Sequence, residues 1–227
     1  MEIQNQIAAG VASQIGAGGW IAITMMALGL AASSGLNTFL PLLMLAAAAK
    51  FHVFGMDLSG SFAWLESGTV LGVLALATIV EVAGDKIPVV DHALDAFGTI
   101  ARPAAGTLAA ASVFSGADPA MAAVLGLIVG APVAFAFHAA KAGTRAASTT
   151  TTMGMANPVL SLLEDIAAFF ITLVAFFSPF LVPLLLLVLL LVFWKMFKAA
   201  RRLLTKDKQL GAGTDKGSTP SVANRVQ

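Results

Sequence analysis

Glu81, Asp85, Lys86, Asp91, His92, Asp95, Arg102, His138, Lys141, Arg145, Glu164 and Asp165 put ten formal charges and two histidines between Gly68 and Pro179, a stretch otherwise almost wholly apolar apart from the surface-like Asp118. Groups of these types relay protons, hold ions or pair with one another. At the centre of a bilayer each charge costs roughly 2.5–3.5 kcal/mol even on insertion scales, so those kept there face water or a partner. Spacing sorts them by face. Glu81 and Asp85 are four apart, as are Asp91 and Asp95, and each pair stacks two like charges on one side of a helix, where they repel unless answered. His138, Lys141 and Arg145 form a basic stripe at steps of three and four. Six acids facing four bases and two histidines suggest an ion-paired cage lining a wet vestibule. The residues expected on a substrate or ion pathway are Glu81, Asp85, Arg102, His138, Lys141, Glu164 and Asp165, with Asp91, Asp95, Asn37 and Asn157 secondary.

The cage matters only if the chain is a membrane protein, and composition says that it is. Of 227 residues 58% are hydrophobic and 11% charged, with mean hydropathy +0.89, whereas soluble domains are about 25% charged. Apolar runs of the roughly 20 residues needed to cross a bilayer recur along the chain. Cysteine is absent, which excludes disulfides, thiolate metal sites and cysteine nucleophiles. The first residues, Met1 to Ala17, hold Glu2 and no Lys or Arg, so they lack the basic start of a signal peptide.

The fold class expected is an all-α polytopic bundle of about seven helices, near 11–33, 37–54, 68–86, 91–114, 119–144, 158–177 and 179–203, with six helices as the alternative. The transmembrane domain then covers 1–204, and 205–227 form a basic, disordered cytoplasmic tail. Asp118-Pro119, Asn157-Pro158 and Ser178-Pro179 each set a capping side chain before a first-turn proline. Asn37 is placed to cap the second helix, while Pro103 and Pro132 fall inside helices. The weakest span is 91–114, with its Asp91, His92, Asp95, Arg102 and Pro103; lying flat on the surface it would reduce the count to six. Eight of the thirteen Lys and Arg residues follow Val192, which puts the C-terminus in the cytoplasm of an inner-membrane, multi-pass protein. Seven spans bring the charges together in the cytoplasmic half. There Arg102 lies roughly 16 Å along its helix from Asp91, and Glu164 roughly 10 Å from Asn157.

Plainer roles compete residue by residue. Lys86, Lys141 and Arg145 near helix ends read singly as interfacial anchors. Asp91 and Asp95 read as partners of a helix dipole, and His52 as interfacial. No histidine has the spacing of a zinc motif, so no metal and no cofactor is expected. Two breaks look alike, Ser33–Pro41 and Thr149–Pro158. Both are hydroxyl-rich and lead through glycine to asparagine, and they are candidates for internal repeats whose exposed N–H groups at Thr38 or Val159, with the hydroxyls of Thr150 to Thr152, hold an anion or phosphate. Ordinary interhelical turns would look the same.

Gly35…Phe39-Leu40-Pro41, Asp85-Lys86-Ile87-Pro88…Asp91…Asp95, Arg102-Pro103, His138-Ala139-Ala140-Lys141 and Ala156-Asn157-Pro158…Ser161-Leu162-Leu163-Glu164-Asp165 resemble the bacterial integral membrane family catalogued as domain of unknown function 4126. The resemblance covers about residues 25–178, leaving the last helix and tail outside. It implies an inner-membrane protein with these polar motifs as its signature, and it brings no activity with it.

No nucleotide loop, nucleophile elbow or zinc-protease helix is present, so the protein is expected not to be an enzyme; Ser161 is the best nucleophile an intramembrane lipid enzyme would have. A net charge of +1 and a tail without interleaved aromatics beyond Phe193, Trp194 and Phe197 exclude nucleic-acid binding as an expectation. The expected partners are membrane lipids, anionic lipid for the basic tail, and a second copy of the chain in a homo-oligomer. The function expected is that of a transporter, flippase or channel-like protein moving a small polar or anionic substrate, such as a lipid headgroup, through the charged vestibule. The alternative is a non-transporting scaffold or assembly subunit held by intramembrane ion pairs.

Overall fold

The computed structural model describes residues 17–53, 56–58 and 60–215; positions 11–16 of the first expected helix and 216–227 of the expected tail lie outside the described residues. The described residues form seven α-helices: α1 Ala17–Leu36, α2 Leu40–Lys50, α3 Gly68–Gly84, α4 Pro88–Val113, α5 Pro119–Thr152, α6 Asn157–Phe177 and α7 Val182–Asp215. Two 3-10 turns, Gly60–Glu66 and Pro179–Leu181, join them, and no strand occurs among the described residues.

Capping explains some starts and not others. The Asp118 carboxylate accepts from Ala120 N and Met121 N, and Pro119 follows in the first turn. Ser67 caps α3 by accepting from Val70 N at 3.2 Å. Asn37 works from outside its helix, its Oδ1 accepting from Leu40 N at 2.9 Å while Phe39 holds the backbone cap position. The expected caps at Asn157 and Ser178 do not form. Asn157 is itself the first residue of α6 and its side-chain amide reaches back to Thr149 Oγ1, and Ser178 opens the Pro179–Leu181 turn without a side-chain cap. Both α4 and α5 run on through Pro103 and Pro132.

Four stretches are long and apolar enough to cross a membrane: Gly19–Leu36, Pro119–Thr152, Asn157–Phe177 and Pro179–Ala199. A fifth arises if Gly60–Glu66 and α3, bent by 65°, count as one broken span. Large apolar side chains such as Ile79, Ile100, Leu127, Ile128 and Phe170 face outward, as a bundle solvated by lipid requires. The protein is a multi-pass helical membrane protein. Two expectations change in detail. With 11 residues, α2 is about 16 Å long, half the hydrocarbon thickness, so the segment expected over 37–54 does not make a full span. The segment expected over 91–114 is α4, one helix packed into the bundle. It packs against α1 and α5 with Arg102, Ala105, Ala109 and Ala110 buried, yet by length and composition it is not among the spanning stretches, so the helices number seven among the described residues while the apolar spans number four or five rather than the seven or six expected.

Direction alternates along the chain. One end of the bundle joins Leu36 to Lys141, Asn37 to Asp165, and Asp85, Asp91 and Glu164 to Arg145, and the other holds Lys50 against Glu66 and gathers Phe114 and Ala122 in one apolar cluster. Between the two ends sit apolar clusters, one of them built on Ala32, Leu36, Phe137, Ala168 and Ile171. Small residues let α4 and α5 approach closely. A Cβ on Gly130 would stand 2.3 Å from the Gly106 carbonyl oxygen, so only glycine fits there. Beyond the bundle α5 continues to Thr152, eight residues past the expected end, until Met153 (φ 54°) and Gly154 (φ 80°) turn left-handed. Similarly α7 runs past 203 to Asp215.

Candidate functional site

The break between α1 and α2 organises the site. Because α2 starts at Leu40, the N–H groups around its first turn need acceptors inside the bundle. Glu81, near the end of α3, supplies them: its two carboxylate oxygens accept from Thr38 N at 3.0 and 2.9 Å, and it also takes Thr38 Oγ1 at 2.8 Å and Phe39 N at 3.3 Å. A helix N-terminus attracts negative charge, and here the chain provides its own. The anion site expected at Thr38 is therefore filled by Glu81. At the companion break the hydroxyls of Thr150, Thr151 and Thr152 donate to carbonyls of their own helix, Ala146, Ala147 and Ser148. The two similar breaks also differ in environment: Ser33, Ser34 and Asn37 are fully buried, whereas Met153 and Met155 are exposed.

Arg102 is completely buried behind Glu81. One guanidinium nitrogen lies 3.4 Å from Glu81 Oε1, and the other is 2.6 Å from His138 Nδ1 and 3.5 Å from Asp95 Oδ1. Arginine only donates, so His138 Nδ1 must accept. The ring then carries its proton on Nε2, which faces Thr99 Oγ1 at 3.2 Å. Gly98 leaves the room for this arrangement, since a Cβ there would come within 3.1 Å of Arg102 Nε.

The second half of the network centres on Lys141 and Arg145. Lys141 Nζ, fully buried, donates to the carbonyl of Leu36 at 3.0 Å and to Asp85 Oδ2 at 2.8 Å, and stands 3.4 Å from Glu164 Oε2. It thus satisfies the C-terminal carbonyl of α1 as well as two carboxylates. Arg145 donates to Glu164 Oε2 at 2.9 and 3.2 Å and to Asp85 Oδ2 at 3.2 Å, pairs with Asp91, and lies 3.8 Å from Asp95. Asp165 accepts from Asn37 Nδ2 at 2.9 Å, and its other oxygen is 3.6 Å from Lys86 Nζ.

All seven residues expected on the pathway meet in this network, as do Asp91, Asp95 and Asn37. Asn157 stands at its edge. Lys86 alone fits the anchor role, its side chain 38% exposed. For Lys141 and Arg145 that role is wrong, because the extra turns of α5 put both inside the protein. Asp91 does lie in the first turn of α4, as a dipole partner would, but it is also an ion-pair partner of Arg145. Sequence reasoning had Arg145 among the four bases of the cage but left it off the pathway, although it shares the stripe of His138 and Lys141. It missed that Glu81 is the partner of Thr38, and it missed the buried Ser33 hydroxyl, which bonds Thr172 Oγ1 and the Ala168 carbonyl, each at 2.8 Å.

Counted as Asp, Glu, Lys and Arg alone, six carboxylates stand with four cations, an excess of two formal negative charges before the histidines are included. Asp85 Oδ1 and Glu164 Oε1 are buried without a hydrogen-bond donor. A cavity of about 370 Å³ reaches the network, bounded by Asp91, His92, Asp95, Arg145, Thr149 and Asn157. Asn157 Oδ1, also without a donor, borders it. Beyond the network the buried side chains of Leu36, Phe137 and Ile171 close the interior. Among the described residues no group of three acids or histidines converges as a metal site would.

No curated protein and no solved structure matches the chain. One family model does, described as a domain of unknown function, DUF4126, over residues 24–199. The match extends beyond 178, so most of the apolar part of α7 falls within it rather than outside. It spans the helices that build the network, from α1 to α7, and the chain belongs to the DUF4126 family.

Proposed function

We propose that the protein is a membrane transport protein whose buried network accepts protons or small cations from the cavity beside Asp91, Asp95 and Arg145. The observation that carries this reading is the excess of carboxylates over cations in a buried network that a cavity reaches from one side. A structural ion-pair cluster tends toward neutrality, because every uncompensated buried charge is costly. An excess of two favours a positively charged occupant and turns the expected cargo from anionic to cationic. The apolar closure at Leu36, Phe137 and Ile171 behind the network suits a site open to one side at a time. Ser161 is buried with no base hydrogen-bonded to it, which supports a non-enzymatic reading. The basic end of α7 supports a cytoplasmic C-terminus and an inner-membrane location.

The test is flux. Purified protein in liposomes loaded with a pH-sensitive dye, under an imposed potential, is expected to admit protons or to exchange them for Na⁺, K⁺ or methylammonium. Glu164→Gln is expected to lower the rate at least ten-fold while the protein stays folded. Wild-type vesicles no leakier than empty ones to all four ions would sink the reading. A scaffold is the second reading, favoured by Glu81, which serves α2 as a cap and Arg102 as a counter-ion. It predicts that Glu164→Gln changes stability and nothing else.

A further inference from the structure

A second cavity, about 430 Å³, lies between α5 and α7, away from the ion-paired network. Its floor is Ala139, Ala140, Gly143 and Thr144, and its wall is Leu190, Phe193, Trp194 and Phe197. That volume lies within the roughly 300–1,000 Å³ typical of small-ligand sites. Position 143 faces open space, since a Cβ built there would meet nothing within 4 Å, and a larger side chain there would project into it. The floor is narrow in side chain and the wall is aromatic, which is the shape of a slot for an alkyl chain.

What fits the slot follows from the face of α7 that borders it. Leu190, Trp194, Lys198 and Arg202 recur at steps of four, each the neighbour of the next along a ridge that winds slowly around the helix. Read along that ridge, an apolar residue is followed by an interfacial aromatic and then by two exposed cations. Lys198 Nζ sits over the Trp194 ring at 4.8 Å, which fixes a positive charge at the mouth of the slot. A zwitterionic lipid offers the same phosphate but brings an ammonium that these cations repel, so a headgroup of net negative charge suits them better.

We infer that the α5–α7 groove binds one anionic phospholipid, an acyl chain lying over Gly143 and the phosphate held by Lys198 and Arg202. The site depends neither on transport nor on the network.

Native mass spectrometry of the full chain in detergent, with an equimolar mixture of dioleoyl phosphatidylglycerol and dioleoyl phosphatidylethanolamine, reads the occupancy directly. The wild type is expected to retain one phosphatidylglycerol in preference to phosphatidylethanolamine. Lys198→Gln and Arg202→Gln should each weaken that retention by about five-fold, and Gly143→Leu should abolish it by filling the slot. Equal retention of both lipids, or unchanged retention in the two exposed-cation variants, would overturn the proposal. So would a dimer that Gly143→Leu dissociates, since a second copy would then be the occupant. Lys198 and Arg202 are exposed, so their variants decide the matter even if Gly143→Leu does not fold.

Discussion

Glu164 and Lys141 share one contact, 3.4 Å between Oε2 and Nζ, yet removing one charge is not equivalent to removing the other. Lys141 answers Asp85, Glu164 and the Leu36 carbonyl at once, so Lys141→Met leaves a buried cluster with three uncompensated negative charges and an unsatisfied helix end. Breaking a buried pair in this way costs about 3–5 kcal/mol. Glu164→Gln moves the same cluster toward neutrality, leaves Arg145 with Asp85 and Asp91, and is expected to cost less than half as much. Unfolding of the two variants in mixed detergent measures both. Equal losses would show that the network is electrically balanced and that the count of six against four misrepresents it.

The same asymmetry of crowded and open positions governs the helices. Gly130→Val must push a side chain into the Gly106 carbonyl and is expected to lower stability by about 1–3 kcal/mol or more, visible as an earlier thermal transition in detergent. Gly72→Ala, where a Cβ meets nothing within 4 Å, should be neutral or stabilise by up to about 1 kcal/mol. Helix order was readable from apolar run lengths and from Asp118-Pro119, because those signals are local. The length of α5 was not. Its threonine run looks like a loop by propensity, but each hydroxyl satisfies a carbonyl three or four residues back and the helix carries on. That error demoted Arg145 to an interfacial anchor. In the other direction, the apolar run through Phe51 suggested a full second span, and His52, left-handed at φ 50°, ends the helix early. The membership of the cage was legible because intramembrane charges are costly wherever they fall. Who pairs with whom was not, since Arg102 faces Glu81 and His138, and Glu164 faces Arg145, only through the packing of α3 to α6.

Across the whole molecule, alternating helices put Trp64 and Met155 at opposite ends, both exposed. The chain has no cysteine, so Trp64→Cys and Met155→Cys each introduce a unique label. In sealed vesicles a membrane-impermeant maleimide is expected to reach them from opposite faces, with Met155 on the face that also exposes Lys198→Cys. Labelling of Trp64→Cys and Met155→Cys from one face would contradict the topology. The break that gathers Leu36, Asn37 and Glu81 has a consequence for how the protein is made. Asn37 meets Asp165, 128 residues later, and Asp85 meets Arg145, 60 residues later. A ribosome adding 5–20 residues per second leaves Asp85 without that partner for on the order of 3–12 s. For that interval the first four helices hold Glu81, Asp85, Asp91 and Asp95 with Arg102 and Lys86 as the only cations of the network, and Asp85 has neither Lys141 nor Arg145, the two cations that answer it in the finished protein. Pairing of Asp85 therefore waits on α5, which brings Lys141 and Arg145 to it.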